Sequence, residues 1–382
     1  MRANNTDAER LFTVPAAFRP LRLYAVGFLL YSGVSAWAVP AVSGGRAAAT
    51  LCGLLFLAGA VFTGCFNAFL LERYSRKGVL LRVLVVQMAV VFGLWPRLLP
   101  EGWGRMAACC LMGSAFALQQ ATLASTLLND LVVSEQRTRA DLEYAWVCRG
   151  GLAAGAALAS AAAVLLPRHA SVCAGMPLLL AFLTALPLGI RLKAPVPVAL
   201  FSFDRYFRAD RTLSCAAAAV SAFPLGFLLC RCGTVPVAFS LLPGVALGYR
   251  AWRALFRRGC AGRGLPMSRL LTLAGLSLFL LPGWLPVGAD MQAVLALCAG
   301  VLTASGAGFS LSCVLGALLE ESAHCRRGTS QHTHFLGALS GTVFGLAAGD
   351  KPLVAAVVVA LSAVFALFRS FFRRKVRKGA KE

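Results

Sequence analysis

Long apolar runs separated by short polar segments make up almost the whole chain. Each run is close to the roughly 20 residues that an α-helix needs to cross the hydrocarbon layer of a bilayer. The runs lack the two-residue alternation of barrel strands, so helices must satisfy the backbone. We therefore predict an all-α membrane protein with twelve transmembrane helices, the first to twelfth spans, at residues 21–42, 47–71, 78–99, 105–129, 142–166, 171–190, 213–231, 234–250, 268–286, 290–318, 331–349 and 352–372.

Basic residues are concentrated on one side of this topology. With a cytoplasmic N-terminus, 30 of the 37 Lys and Arg residues lie in, or within a few residues of, the termini and the connections after even-numbered spans. Arg149 lies inside a span, and the opposite face carries Arg46, Arg97, Arg105, Arg168, Arg231 and Lys351. Because basic short connections favour the cytoplasm, we predict that both termini are cytoplasmic. The eighth span is short and carries Pro236 and Pro243, and its failure would invert all later spans.

The sequence also repeats at low resolution. Paired basic residues follow the fourth and tenth spans, and charged segments follow the second and eighth, at 72–73 and 250–258. Offsets near half of the chain predict two six-helix halves related by an axis along the membrane normal. The predicted division is a cytoplasmic N-terminal segment 1–20, an N-terminal half 21–190, a cytoplasmic connector 191–212, a C-terminal half 213–372 and a basic cytoplasmic tail 373–382.

A charged hairpin connects the second and third spans. It reads Ala68-Phe-Leu-Leu-Glu72-Arg73-Tyr74-Ser75-Arg76-Lys77-Gly78. This segment resembles the signature loop of the major facilitator superfamily (MFS) of transporters, Gly-x-Leu-Ala-Asp-Arg-x-Gly-Arg-Lys. Glu72 stands where the family has Asp, and Ala68 and Ser75 stand where it has Gly. With twelve spans and two halves, the resemblance covers residues 20–372 and implies an MFS-like fold.

A second segment supports the same resemblance. Residues 134–140, Ser-Glu-Gln-Arg-Thr-Arg-Ala, are similar to the Glu-Arg-Gly-Arg-Ala segment that family members often carry between their fourth and fifth helices. Two positions depart from the family. Cys109 replaces an Arg before Gly113 in the fourth span, and residues 149–155 have the glycines but not the proline of the drug-antiporter motif.

The resemblance implies a cytoplasmic latch built on the hairpin. Carried over residue by residue, Glu72 would meet the N-terminal end of the eleventh helix, and Arg73 would pair with Asp130 at the end of the fourth. A carboxylate at a helix N-terminus gains roughly 0.3–1 kcal/mol. The alternative is that these charges only anchor the hairpin among the lipid headgroups. The full latch set is Glu72, Arg73, Arg76, Lys77, Asp130, Arg137 and Arg139.

Arg149 is the basic residue that cannot easily reach water. Counting from Asp141, it lies about 12 Å into a hydrocarbon layer of about 30 Å. A charge at that depth costs at least about 2.5–3.5 kcal/mol, so it should face the bundle interior or a wet cavity. There it would favour an anionic ligand. The alternative is a structural Arg whose side chain extends past Glu143 toward the cytoplasm.

Several polar side chains at mid-depth are candidates for a central solute cavity. The resemblance implies that the first, fourth, seventh and tenth helices line it. The candidates besides Arg149 are Gln119, Gln120, Ser35, Ser221 and Ser305. The amides, with Gln87 in the third span, could instead bond between helices, each bond contributing about 0.6 kcal/mol.

No metal site, cofactor or enzymatic chemistry is predicted. His324, Cys325, His332 and His334 cluster at the entry to the eleventh span, but their spacing fits no established site, and a solvated loop entering the eleventh helix is the favoured interpretation. His332 and His334 could contact a soft cation only if that loop is extended. Most of the thirteen Cys lie in apolar runs, and no catalytic motif is found.

The composition fits a multi-pass protein of the bacterial inner (plasma) membrane: 59% of the residues are hydrophobic and 14% charged. The net charge of +22 is explained by topology, so we expect no nucleic-acid partner. We expect a monomer whose partners are the lipid bilayer and a small solute. The predicted function is an MFS-type secondary transporter of a small organic solute, with an anionic one favoured. The alternatives are a non-transporting sensor similar to the membrane domain of some LuxR-type regulators, and a scaffold that binds lipid through its basic tail.

Overall fold

The described part of the chain is helical throughout. The computed structural model describes residues 46–94, 103–120, 137–166, 175–176, 178–180, 182–183, 209–231, 235–257, 261–286, 288–321, 327–349 and 351–364. Its helices are α1 (Arg46–Arg73), α2 (Arg76–Leu94), α3 (Trp103–Gln120), α4 (Arg137–Leu165), α5 (Ala209–Arg231), α6 (Val235–Arg257), α7 (Ala261–Leu280), α8 (Ala289–Glu321), α9 (Arg327–Ala348) and α10 (Pro352–Val364). A 3₁₀ turn, Leu281–Gly283, extends α7.

These helices correspond to the second to fifth and seventh to twelfth predicted spans. By length and composition, three described stretches are apolar enough to cross a membrane: Thr212–Arg231, Gly264–Gly283 and Ala289–Leu319. The first span lies outside the described residues, and the sixth is described only in part. The count of twelve spans and the sides of the termini therefore stay predictions.

Several helices are longer at their basic ends than the apolar runs predict. α6 continues to Arg257, whereas the eighth span was expected to end at residue 250, and α4 begins at Arg137 instead of 142. Hydropathy marks only the part of a helix that is embedded in hydrocarbon. The backbone hydrogen bonds of the helix can continue into the headgroup layer, where Arg is well solvated. Much of the predicted basic connection at 250–258 is thus helical. Pro243 lies inside α6 without ending it.

Helix pairing repeats through the described structure. α1 packs on α3 as α6 packs on α8, and α2 packs on α3 as α7 packs on α8. The members of each pair are six predicted spans from their counterparts. Between the helices of the predicted N-terminal half (α1 to α4) and those of the predicted C-terminal half (α5 to α10), α9 contacts α1, and α4 contacts α6 and α8. This repetition is the pattern expected of two similar halves.

Glycines on α9 bring it against α5. Gly337, Gly341 and Gly345 are spaced four residues apart, so they share one face of the helix. A Cβ atom at Gly341 would overlap the carbonyl oxygen of Ala219, and one at Gly345 would overlap that of Phe223. Without large side chains the two backbones approach closely, which is how membrane helices gain packing energy in the absence of a hydrophobic driving force.

A buried arginine ties α7 to α10. The guanidinium of Arg269 donates from Nη1 to the carbonyl oxygen of Ser362, which lies in α10. Arg269 therefore links α7 to α10.

The membrane topology can be tested with reporter fusions. We expect a reporter fused after Lys351 to lie outside and one fused after Glu382 to be cytoplasmic, because only this arrangement places 30 basic residues in the cytoplasm. Paired alkaline phosphatase and green fluorescent protein fusions measure the two sides. Both fusions on one side would contradict the twelve-span count.

Candidate functional site around Arg149

One face of α4 meets the α6–α8 pair. Leu142, Trp146, Arg149 and Ala153 follow each other at steps of four, three and four residues, so they align along one side of the helix. All four are buried. Leu142 and Trp146 pack with Trp252 of α6 and with Phe309, Leu315 and Leu319 of α8.

Arg149 reaches across to α8. Its Nη1 donates to the carbonyl oxygen of Gly308 at 2.8 Å and to the hydroxyl of Ser312. The side chain is 9% exposed, and its guanidinium carbon lies 4.9 Å from the centre of the Trp146 ring. Both acceptors and the ring are uncharged, and Glu143 is not among the described partners. The interpretation of an Arg directed along its own helix toward the cytoplasm is therefore not the arrangement seen.

The guanidinium retains capacity for a ligand. It carries five N–H donors, and both described hydrogen bonds use Nη1. Nε and Nη2 form the other edge of the planar group, which can bind a carboxylate in a bidentate manner. Within the described residues the buried charge has neutral partners only, so a bound anion would supply the counter-charge.

Trp146 inserts between α6 and α8. Its ring lies 5.6 Å from that of Tyr249 and 6.2 Å from that of Trp252. A Cβ atom at Gly248 would come within 3.0 Å of Trp146 Cη2, and one at Gly308 within 3.3 Å. The two glycines thus leave the space that the indole fills, and the indole in turn places its face against Arg149.

Of the other predicted cavity residues, some have described side chains and others lie outside the described part of the structure. Ser221 of α5 is buried and shares a hydrogen bond of 2.8 Å with Ser310 of α8. Ser305 is also buried, and its carbonyl oxygen lies where α6 passes at Gly248. Ser35 lies outside the described residues, as does the side chain of Gln120.

Gln119 follows the alternative interpretation. Its Oε1 accepts a 3.0 Å hydrogen bond from Nε2 of Gln87, and both amides are fully buried. This bond links α2 to α3 within the predicted N-terminal half. Such a bond contributes about 0.6 kcal/mol in a membrane protein. Gln119 is thus engaged between helices in this structure.

The charged hairpin is tight. α1 ends at Arg73 and α2 begins at Arg76, so only Tyr74 and Ser75 lie between them. The Ser75 hydroxyl accepts a 3.1 Å hydrogen bond from the Gly78 backbone, as an N-cap does. Arg73 is exposed and Lys77 half-buried. Outside the described structure lie Asp130 and the side chains of Glu72, Arg76, Arg137 and Arg139.

The latch therefore stays a prediction, and its central pair can be tested. Charge removal in Arg73→Ala or Asp130→Ala should slow turnover or bias the protein toward a cytoplasm-open form. If the two residues pair, their effects in a double-mutant cycle will be less than additive. Turnover rates of the two single variants and the double variant measure this. Strict additivity would make them independent headgroup anchors.

The expectation of a solvated loop carrying His332 and His334 is wrong. Both residues belong to α9, and His334 is buried. Residues two apart on a helix point about 200° away from each other, so these two cannot grip one ion as an extended loop could. A Cβ atom at Gly64 of α1 would overlap the His332 ring, whereas His334 lies within range of the Arg149 charge. The described residues hold no group of three or more metal-ligating side chains.

Sequence reasoning missed the acceptors of Arg149. Nothing in the sequence of this apolar run distinguishes Gly308 and Ser312 from their neighbours. Their importance depends on which helix lies opposite. Trp146 could have been found, because it precedes Arg149 by three residues and so shares its helix face.

Comparison with known proteins supports the fold. No protein-family model matches the chain, and no curated protein matches its sequence. Among solved structures, a bacterial homologue of the iron transporter ferroportin in its outward-facing state matches with a TM-score of 0.58 and 17% identity, over 91% of this chain and 98% of that one. Its inward-facing state gives 0.57 and 18%, over 92% and 98%. An auto-inhibited peptide transporter of the POT family gives 0.65 and 12%, over 94% and 97%.

The chain thus shares its fold with these solved transporters. Its described residues are helical, and three of their stretches are long and apolar enough to cross a membrane. At these identities the likeness concerns the fold alone. The similarity to LuxR-type membrane domains remains an expectation.

Proposed function

We propose that the protein is a secondary transporter that moves a small organic anion across the bacterial inner membrane by alternating access, with Arg149 as the anion-binding group. The observation that carries this proposal is the position of Arg149. It is buried where α4 meets α8, and its described partners are uncharged. A cation at that depth is costly, and in membrane proteins such groups commonly belong to a substrate path.

The fold supports transport but does not select the solute. One neighbour is a homologue of an iron transporter and another a peptide transporter, so the shared architecture accommodates different cargoes. The choice of an anion rests on the chemistry of Arg149. A guanidinium with one edge left for a ligand matches a carboxylate or another planar oxyanion.

Transport is proposed to be uncoupled from protons, as facilitated diffusion or anion exchange. The first to third and seventh to ninth predicted spans contain no Asp or Glu between their ends. The acids near the membrane lie at the ends of the predicted spans: Asp130, Asp141, Glu143, Glu320 and Glu321 on the cytoplasmic side, and Glu101, Asp290 and Asp350 on the opposite side. A midplane carboxylate that alternates in protonation is therefore not available to couple solute to proton.

Reconstitution tests both the function and the coupling. Purified protein would first be screened by thermal shift against sodium acetate, succinate, benzoate and phosphate. The anion that binds would then be followed into liposomes, and flux should persist when the pH gradient is collapsed with an ionophore. Flux abolished by the ionophore would contradict the uncoupled mechanism. Binding without flux would favour the sensor, and no binding at all would contradict the anion site.

A further inference from the structure

Resting on the proposed function, a second role of Arg149 follows from its partners. We propose that the hydrogen bonds from Arg149 to Gly308 and Ser312 form a lock between α4 and α8, and that the anionic solute, which first meets the Nε and Nη2 edge, opens this lock by taking over the Nη1 donors as well. Ser312 is then a positioning residue for transport that competes with the solute.

The lock crosses between two parts of the fold. Arg149 lies on α4 in the predicted N-terminal half, and its acceptors lie on α8 in the predicted C-terminal half, 159 and 163 residues further along the chain. Rocking of the halves changes the separation of these helices, so the bonds cannot persist unchanged through the cycle. They belong to one conformational state.

The exchange of acceptors is favourable for an anion. A guanidinium–carboxylate bond joins two opposite charges, whereas the bonds to Gly308 and Ser312 carry a charge on the donor only. A carboxylate that reaches Arg149 would therefore displace a neutral carbonyl and a neutral hydroxyl as hydrogen-bond acceptors. The guanidinium carbon lies over the Trp146 ring, and this contact occupies none of the N–H donors. The guanidinium can thus keep one contact while it changes the others.

Such an exchange links binding to movement. A ligand shifts a conformational equilibrium only by the difference in its affinity for the two states. Here the difference arises because Nη1 of Arg149 is already hydrogen-bonded to α8 in the locked state, whereas in the unlocked state those bonds are absent and Nη1 can bind the solute. The solute binds the unlocked state more tightly and so promotes the movement that carries it.

The Ser312 hydroxyl is the part of the lock that mutation can remove. In Ser312→Ala the solute competes with one acceptor fewer, and we expect its dissociation constant to fall about tenfold or more, since hydrogen bonds to charged groups are stronger than those between neutral groups. Ser312→Thr keeps a hydroxyl and should retain the wild-type value. Ser240→Ala is the matched control, because Ser240 is a fully buried serine that bonds to Val237 within its own helix.

Two measurements test the lock. Isothermal titration with the anion found in the thermal-shift screen gives the dissociation constants. Hydrogen exchange of α4 and α8 peptides gives the movement: Ser312→Ala without anion, and wild type with saturating anion, should both exchange faster near residues 302–316 than wild type alone.

The outcomes separate the lock from the function it rests on. Unchanged affinity in Ser312→Ala, or weaker binding that Ser312→Thr restores, would overturn the lock while leaving Arg149 as the anion site. Slower exchange near 302–316 on anion binding would also overturn it. If neither wild type nor Ser312→Ala binds any anion of the panel, the proposed function itself is overturned.

Discussion

Replacement of Arg149 by alanine is expected to abolish anion binding and flux. The variant removes the charge on which the proposed site is built, so affinity should fall at least about a hundredfold, which corresponds to roughly 2.7 kcal/mol. The fold should survive, because a buried charge with neutral partners is replaced by a small apolar group. Titration of the detergent-purified protein measures binding, and liposome uptake measures flux.

Arg269→Gln is the matched control for this prediction. Arg269 is also a buried arginine that bonds to a backbone carbonyl on another helix, but it lies on α7 and bonds to α10. Its replacement should lower thermal stability without abolishing binding. If Arg149→Ala lowered the melting temperature like Arg269→Gln and retained anion binding, Arg149 would be a structural residue.

Gly341→Ala is expected to destabilise the protein strongly. The added Cβ would overlap the Ala219 carbonyl oxygen, and backbone cannot yield as a flexible side chain can. The two helices must separate, and the cost should exceed the roughly 1–3 kcal/mol of ordinary overpacking. Melting temperature and the fraction of monodisperse protein after detergent extraction measure the effect.

The same substitution at Gly150 provides the comparison. Gly150 lies within α4, and a Cβ there would meet no atom within 4 Å. Alanine favours a helix over glycine by up to about 1 kcal/mol, so Gly150→Ala should be neutral or slightly stabilising. Equal melting temperatures for the two variants would show that the glycine face of α9 does not determine its packing.

The helices were predictable because burial in lipid imposes long apolar runs, and the burial of Arg149 was predictable because it lies far from either end of such a run. Helix ends were less predictable, as α6 shows, because the apolar pattern stops at the first charged residues whereas the helix continues through them. His334 was misassigned for the same reason. Polar residues at the start of α9 suggest a loop, yet packing against neighbouring helices buries them.

The partners of Arg149 were beyond the reach of the sequence. Ser312 is one of several serines in α8, and periodicity does not distinguish it from Ser310, which bonds to α5 instead. Which serine meets the arginine depends on the rotation and depth of two helices that are distant in the chain. These are tertiary quantities, set by close approaches such as that of Gly248 to Ser305.

The insertion of Trp146 beside Trp252 gives the protein an optical signal of its own. Two indoles 6.2 Å apart couple their electronic transitions, and this coupling depends steeply on their distance and angle. The pair joins α4 to α6, so separation of these helices would remove the coupling and admit water to both rings. Circular dichroism in the indole bands and tryptophan emission would then record each separation of α4 from α6 without any attached dye.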